Sequence, residues 1–100
     1  MTFNTDNETP IHFALKAVTA KGNPTLVPDG VVLTMTPTGG AGTFTNDADN
    51  KGTTFSDTTS ESVTTTNSVQ GTELQLDTDS QSSTIIVGAA PAAALSIVQA

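Results

Sequence analysis

Apolar and polar residues alternate over residues 11–20, where Ile11 and Phe13 share one side of an extended chain. The same two-residue period recurs over residues 31–36, after a turn rich in Gly and Pro. Two half-buried β-strands give this pattern, because successive side chains of a strand point to opposite faces. The pattern predicts a hairpin core from these two strands, against which the rest of the chain packs.

Shorter apolar stretches separated by turn residues follow along the chain. They predict short strands at residues 42–45, 53–56, 72–77 and 83–87. Residues 57–67 contain one large apolar residue, Val63, amid Thr and Ser, and predict an edge strand or a mobile loop. Early exchange of amide hydrogens is expected over residues 57–69. The expected core comprises Phe13, Leu15, Leu33, Phe44, Leu74 and Ile85.

The two ends of the chain differ in composition from the centre. Residues 1–10 are polar and predict a flexible lead with one possible anchor, Phe3. Residues 89–100 are rich in Ala, but Gly88 and Pro91 leave room only for a helix too short to be stable alone, so a strand is favoured. This strand is expected either to fold back on its own domain or to exchange with a neighbour, through Leu95, Ile97 and Val98.

Strands at roughly ten-residue spacing, without alternating helices, indicate an all-β sandwich or barrel. The frequency of Thr agrees with this class, because its branched side chain suits the outer face of a strand. Seven to eight short strands over residues 11–88 fit an immunoglobulin-like β-sandwich.

Several turns and strands then resemble the bacterial immunoglobulin-like repeats of invasin and intimin type. The second strand, Gly-Asn-Pro turn and third strand of that family are similar to residues 17–24 and 28–34. Its later turns and its penultimate strand are similar to residues 39–44, 47–52 and 71–74. The sequence departs from the family over residues 55–69, where Thr and Ser replace an apolar strand, and before Ile11, where the first strand has no good counterpart.

The resemblance implies a non-enzymatic module whose role is structural attachment to a larger assembly. A short, acidic, Cys-free module that begins at Met1 without a secretory signal resembles a phage capsid decoration or cement protein, which implies a virion setting. The expected partner is then a protein, either the capsid or a neighbouring subunit, in an oligomeric assembly. The alternative is an extracellular adhesion or spacer repeat of a bacterial surface protein.

Composition and charge narrow the classes of partner. The chain carries ten acidic residues against three lysines and no arginine, a net charge of −7, so binding to nucleic acid is not expected. Disulfides and thiolate sites are excluded because there is no cysteine. No apolar run approaches the roughly 18 residues of a membrane span, so membrane insertion is not expected.

Few residues are candidates for chemistry. His12 is the single histidine, and it is interpreted as an ordinary strand residue because a metal site or a catalytic triad needs partners. Asp47 and Asp49 mimic the start of a calcium loop, but Lys51 stands at a ligand position and Thr58 where the bidentate Glu belongs. A solvated turn is the favoured interpretation, and neither an enzymatic activity nor a cofactor is expected.

Overall fold

The structure is a computed structural model that describes residues 1–99, and it is all-β, as the sequence predicts. It has nine strands: β1 (Thr2–Asp6), β2 (Ile11–Ala14), β3 (Ala17–Val18), β4 (Pro24–Thr25), β5 (Val32–Gly39), β6 (Thr43–Asn46), β7 (Gly52–Ser56), β8 (Glu61–Gln70) and β9 (Ser82–Gly88). Within the described range the one helical element is a 3₁₀ turn, Thr78–Ser80.

Two larger sheets enclose a shared apolar core, as in a β-sandwich. The four-stranded sheet has the order β1-β9-β8-β5, and the three-stranded sheet has the order β2-β7-β6. Phe55 of β7 packs between them against Val63, Ile85 and Val87 of the other sheet. Strands β3 and β4 pair separately as a two-stranded ribbon.

The strands predicted at residues 31–36, 42–45, 53–56 and 83–87 are confirmed as β5, β6, β7 and β9. Leu33 and Ile85 are buried as expected. Phe13, Leu15 and Phe44 are half-buried.

The predicted hairpin between residues 11–20 and 31–36 is wrong. Strand β2 pairs with β7, where Ile11 lies opposite Phe55, and β5 pairs with β8, where Leu33 lies opposite Val69. The alternation in each stretch correctly indicates a strand with one buried face. However, both sheets share a single core, so two strands with matching apolar faces can lie in opposite sheets instead of side by side.

Residues 1–10 are not a flexible lead, because Thr2–Asp6 forms β1. This strand runs parallel to β9, with Phe3 opposite Ile85. The Phe3 and Phe13 rings pack edge to face, with 4.8 Å between their centroids, and this is a geometry that aromatic pairs prefer. One anchored aromatic side chain and a row of backbone hydrogen bonds therefore hold the strand, although most of its residues are polar.

The expectation of an edge strand or mobile loop at residues 57–67 is also wrong. Strand β8 spans ten residues and lies between β9 and β5. Its inward-facing positions are Val63, Thr65 and Asn67, which are all buried. Part of the inner face is occupied by polar side chains that are hydrogen-bonded to each other, and counting the apolar residues of the segment does not detect them.

The strand predicted at residues 72–77 does not form, and Leu74 is 62% exposed. Gly71 has a φ of 80°, a conformation that glycine adopts without strain, and the chain turns there. A side chain at this position would also collide with the Gly30 carbonyl oxygen. The alternating residues after Gly71 instead form a bend that leads to the 3₁₀ turn.

The predicted C-terminal strand is absent from residues 89–99, and Ala100 lies outside the described residues. The segment does not fold back to complete the four-stranded sheet. It was expected to supply the first strand of the sandwich, but Thr2–Asp6 forms that strand, as β1 beside β9. Exchange of this segment with a neighbour stays a prediction.

Candidate functional site

Residues 89–99, hereafter the tail, contain three large apolar side chains that are mostly exposed. Leu95 is 95% exposed, Ile97 102% and Val98 78%. These are the three residues predicted from the sequence to mediate interaction. The tail is attached to the sandwich at Ala90, whose backbone N–H donates to the Asn7 side-chain oxygen at 3.0 Å. Beyond Ala90, every described residue is exposed.

The tail leaves the sandwich at an acidic end, hereafter the tail end. Strands β1 and β9 finish there and β8 starts there, because Asp6 pairs with Gly88 and Glu61 with Val87. The carboxylates at this end belong to Asp6, Glu8, Asp57 and Glu61. All three lysines of the chain lie elsewhere, so the surface around the root of the tail is negative.

Hydrogen bonds fix several of these carboxylates. The backbone N–H of Glu8 and the hydroxyl of Thr9 donate to the Asp6 carboxylate and hold its pKa below the ordinary value. The Glu61 carboxylate accepts from the backbone N–H of Ala41 at 2.8 Å. Asp57 accepts from the Thr59 N–H at 2.9 Å. The tail end therefore presents oriented negative charge.

The β3–β4 ribbon projects from the opposite end, hereafter the ribbon end, where β2 finishes and β5 begins. Its register pairs Val18 with Pro24, so Val18 and Leu26 lie on the same face of the ribbon. Val18 is 65% exposed and Leu26 90%. The ribbon tip is closed by the Gly22 N–H, which donates to the Thr19 carbonyl at 2.8 Å. A short, well-closed hairpin thus carries an uncovered apolar face.

An open groove of about 440 Å³ lies at the base of the ribbon. Its apolar walls are Ala14, Leu15, Leu26 and Val27, and its polar rim contains His12, Asp47, Asp49 and Lys51. Leu26 belongs both to the groove and to the exposed ribbon face. The two features therefore form one continuous surface, hereafter the ribbon surface.

His12 and Asp47 form a pair at the rim of the groove. The His12 Nε2 and the nearer Asp47 carboxylate oxygen are 2.6 Å apart, and both side chains are partly exposed. Gly52 makes room for this contact, since a methyl group there would collide with Asp47 and with the Phe13 carbonyl oxygen. The pairing of β2 with β7 brings the two residues together across 35 positions of sequence.

The structure separates the two weak metal candidates. Asp47 faces His12, whereas the Asp49 carboxylate accepts from the Lys51 backbone N–H at 3.0 Å and closes the β6–β7 turn. Asn50 completes this turn with a φ of 60°. Within residues 1–99, no three His, Cys, Asp or Glu side chains converge as metal ligands.

A polar cluster inside the four-stranded sheet was missed by sequence reasoning. Asn67 donates to the Ser80 carbonyl and to the Ser83 hydroxyl, both at 2.9 Å, and it accepts from the Thr65 hydroxyl at 2.7 Å. These bonds tie the 3₁₀ turn to β8 and β9. The cluster therefore has a structural role, and the one signal for it in the sequence is an Asn among Thr residues.

The ribbon surface was also missed, because its residues were divided between a predicted strand and a turn region. Val18 falls on the polar side of the predicted alternation, and Leu26 lies between two turn sequences. A large apolar residue within a turn was the available signal.

Comparison with known proteins identifies no relative, since no protein-family model, curated protein or solved structure matches the chain. Over residues 1–99, no helix is long and apolar enough to cross a membrane.

Proposed function

We propose that the protein is a non-enzymatic, immunoglobulin-like structural module that attaches to a larger protein assembly through its tail. The observation that carries this proposal is the near-complete exposure of Leu95, Ile97 and Val98. Exposed apolar side chains that cluster on one segment are typical of a protein interaction site. An extended segment is also suited to strand addition, in which its backbone pairs with the sheet edge of a partner.

The order of the strands supports the immunoglobulin-like part of the proposal. With the ribbon left out, the three-stranded sheet contains the second, fifth and fourth strands, and the other sheet contains the third, sixth and seventh. Immunoglobulin domains have the same two sets. The first strand departs from the ABED and CFG division of constant-type domains, since it lies beside the seventh and parallel to it, on the sheet that includes the third and sixth strands.

The favoured setting is a phage particle, in which the module is a capsid decoration or cement protein bound to the capsid or to a neighbouring subunit. The net charge of −7 supports this setting, because acidic surfaces stay soluble at high local density. The absence of cysteine makes such a module independent of redox conditions.

The alternative is an extracellular adhesion or spacer repeat, and one observation favours it. Strand β1 starts at the ribbon end, where the Met1 carbonyl accepts from the Thr84 N–H, and the tail leaves from the opposite end. A module that the chain enters at one end and leaves at the other fits a string of modules in series.

The test is incorporation into the native assembly. We expect Leu95→Ser combined with Ile97→Ser to remove the protein from purified particles, as measured by quantitative mass spectrometry, because the variant loses its apolar attachment. The control is Leu74→Ser combined with Ile86→Ser, which alters exposed apolar residues outside the tail. Circular dichroism checks that both variants fold.

Equal incorporation of the tail variant and the control would contradict the proposal. Recovery of the wild-type protein in the cell-surface fraction, with none in particles, would favour the extracellular alternative.

A further inference from the structure

The two ends of the molecule carry different apolar features, each without a cover in the described part of the chain. The tail end offers an exposed apolar segment, and the ribbon end offers an exposed apolar face beside a groove. Because residues 91–99 are exposed throughout, the tail does not contact the ribbon of its own copy.

We propose that the tail of one copy binds the ribbon surface of a second copy, so that copies associate head to tail. Leu95 and Ile97 pack against Val18 and Leu26 of the next copy and fill the groove beside Leu15. The inference rests on the proposed function, since it names the partner of the tail as a second copy of this chain.

The ribbon is suited to receive an extended segment. Each of its strands has two residues, and a two-stranded ribbon of this kind is at best marginally stable without a third strand or a covered apolar face. In an extended tail, Leu95 and Ile97 point to the same side, about 7 Å apart. Binding would therefore place two apolar side chains on the uncovered face of the ribbon.

Charge favours this pairing of unlike ends. The ribbon carries Lys16 and Lys21, whereas the rim of its groove carries Asp29, Asp47 and Asp49 against Lys51, so the ribbon surface is close to neutral. The tail end presents the carboxylates of Asp6, Glu8, Asp57 and Glu61. Two tail ends would repel each other, whereas a tail end meets no excess of negative charge at the ribbon surface. Head-to-tail contact is thus the arrangement that reduces repulsion between copies.

The open edge of β5 is a poorer acceptor for the tail. The Leu33 N–H is already bonded to the Asn50 carbonyl at 2.8 Å, on the side away from β8. Pro37 lies at a position of the same strand whose backbone nitrogen faces the open edge, and proline has no N–H to donate there. This edge is therefore protected against added strands.

A tail-to-ribbon contact is heterologous, because it joins two different surfaces. Two copies joined in this way keep one free ribbon surface, on the copy whose tail is bound, and one free tail, on the other copy. Association therefore continues into an open chain, or into a ring where the rotation between copies closes.

The test uses two variants of the full chain. The ribbon variant combines Val18→Ser with Leu26→Ser, and the tail variant combines Leu95→Ser with Ile97→Ser. All four side chains are largely exposed, so folding should be retained, and thermal melting checks this. Sedimentation equilibrium measures the mean mass at rising protein concentration.

We expect the wild type and the control with Leu74→Ser and Ile86→Ser to grow in mass with concentration. Each of the two test variants alone should self-associate at least tenfold more weakly. An equal mixture of them should form dimers that do not grow, because one intact tail meets one intact ribbon surface.

A mixture that stays monomeric would overturn the inference, and so would a wild type that stays monomeric at millimolar concentration. Self-association of the ribbon variant equal to that of the wild type would also overturn it. If the ribbon variant still enters the native assembly and the tail variant does not, the proposed function stands and the head-to-tail inference falls.

Discussion

Strand β8 and the tail show opposite relations between composition and burial. Strand β8 reads ESVTTTNSVQ, and its apolar residues are two valines, yet it lies inside the four-stranded sheet with Val63 fully buried. The tail is mostly Ala, Leu, Ile and Val, yet it is exposed from residue 91 onward. Apolar content alone therefore assigns both regions to the wrong place.

Pairing explains the difference. Strand β8 has a neighbour on each side, which satisfies its backbone and turns alternate side chains inward. The tail has no strand beside it, because β1 already occupies the edge next to β9. A segment is buried when the topology gives it partners for its backbone groups, and its apolar side chains then stabilise that position.

The largest contrast should appear in amide hydrogen exchange. We expect the amides of β8 to exchange only with global unfolding, and those of the tail to exchange at nearly the rate of an unfolded peptide. For a domain of this size the difference approaches the whole free energy of unfolding, about 5–15 kcal/mol. Early exchange of the Val63 amide in a native-state experiment would contradict the central position of β8.

Two isoleucines provide a matched pair of side-chain deletions. Ile85 is fully buried opposite Val63, and Ile97 is fully exposed in the tail. We expect Ile85→Ala to lower the free energy of unfolding by about 2–5 kcal/mol, through lost burial and a cavity. Ile97→Ala should change it by less than about 0.5 kcal/mol. Denaturant titration measures both, and equal effects would show that the tail is packed in solution.

The polar interior of β8 can be tested at Asn67. Replacing it by Ala leaves the Thr65 and Ser83 hydroxyls without their partner, at a cost of about 1–3 kcal/mol. Thr66→Ala, at the adjacent exposed position, is the control and should have little effect. If the two variants melt at the same temperature, the cluster contributes no net stability.

The smallest effect concerns two buried threonines. The Thr53 hydroxyl has no hydrogen-bond partner, whereas the Thr65 hydroxyl donates to Asn67. Thr53→Val should raise the free energy of unfolding by up to about 1 kcal/mol, since it removes an unpaired buried hydroxyl. Thr65→Val should lower it, because Asn67 loses a bond. Denaturant unfolding of each variant should give changes in the free energy of unfolding of opposite sign. A lower stability of Thr53→Val would show that the Thr53 hydroxyl has a hydrogen-bond partner.

The strands that could be predicted from sequence are those in which large apolar side chains lie between clear turn sequences. Strands β6 and β7 each have one phenylalanine between turns, and the rings of Phe44 and Phe55 pack at 5.0 Å between centroids, tilted by 47°. Strands β5 and β9 have apolar residues at alternate positions. Local sequence specifies these strands, because each supplies its own buried face.

The rest depends on partners that are distant in sequence. Strand β1 is held by β9, about 80 residues away, and β8 by the bonds of Asn67 to Ser80 and Ser83. Local patterns do not report such pairings. For the candidate site, Leu95, Ile97 and Val98 were predicted from sequence, whereas the ribbon surface depends on the register that pairs Val18 with Pro24.

The parallel pairing of β1 with β9 has a mechanical consequence. Both strands run from the ribbon end toward the tail end, so a pull on Met1 and on the tail draws them past each other in opposite directions. Their hydrogen bonds, from the Thr84 N–H to the Asn7 N–H, then bear the load together instead of opening one at a time. Tension applied at the two ends therefore loads this pair of strands in shear.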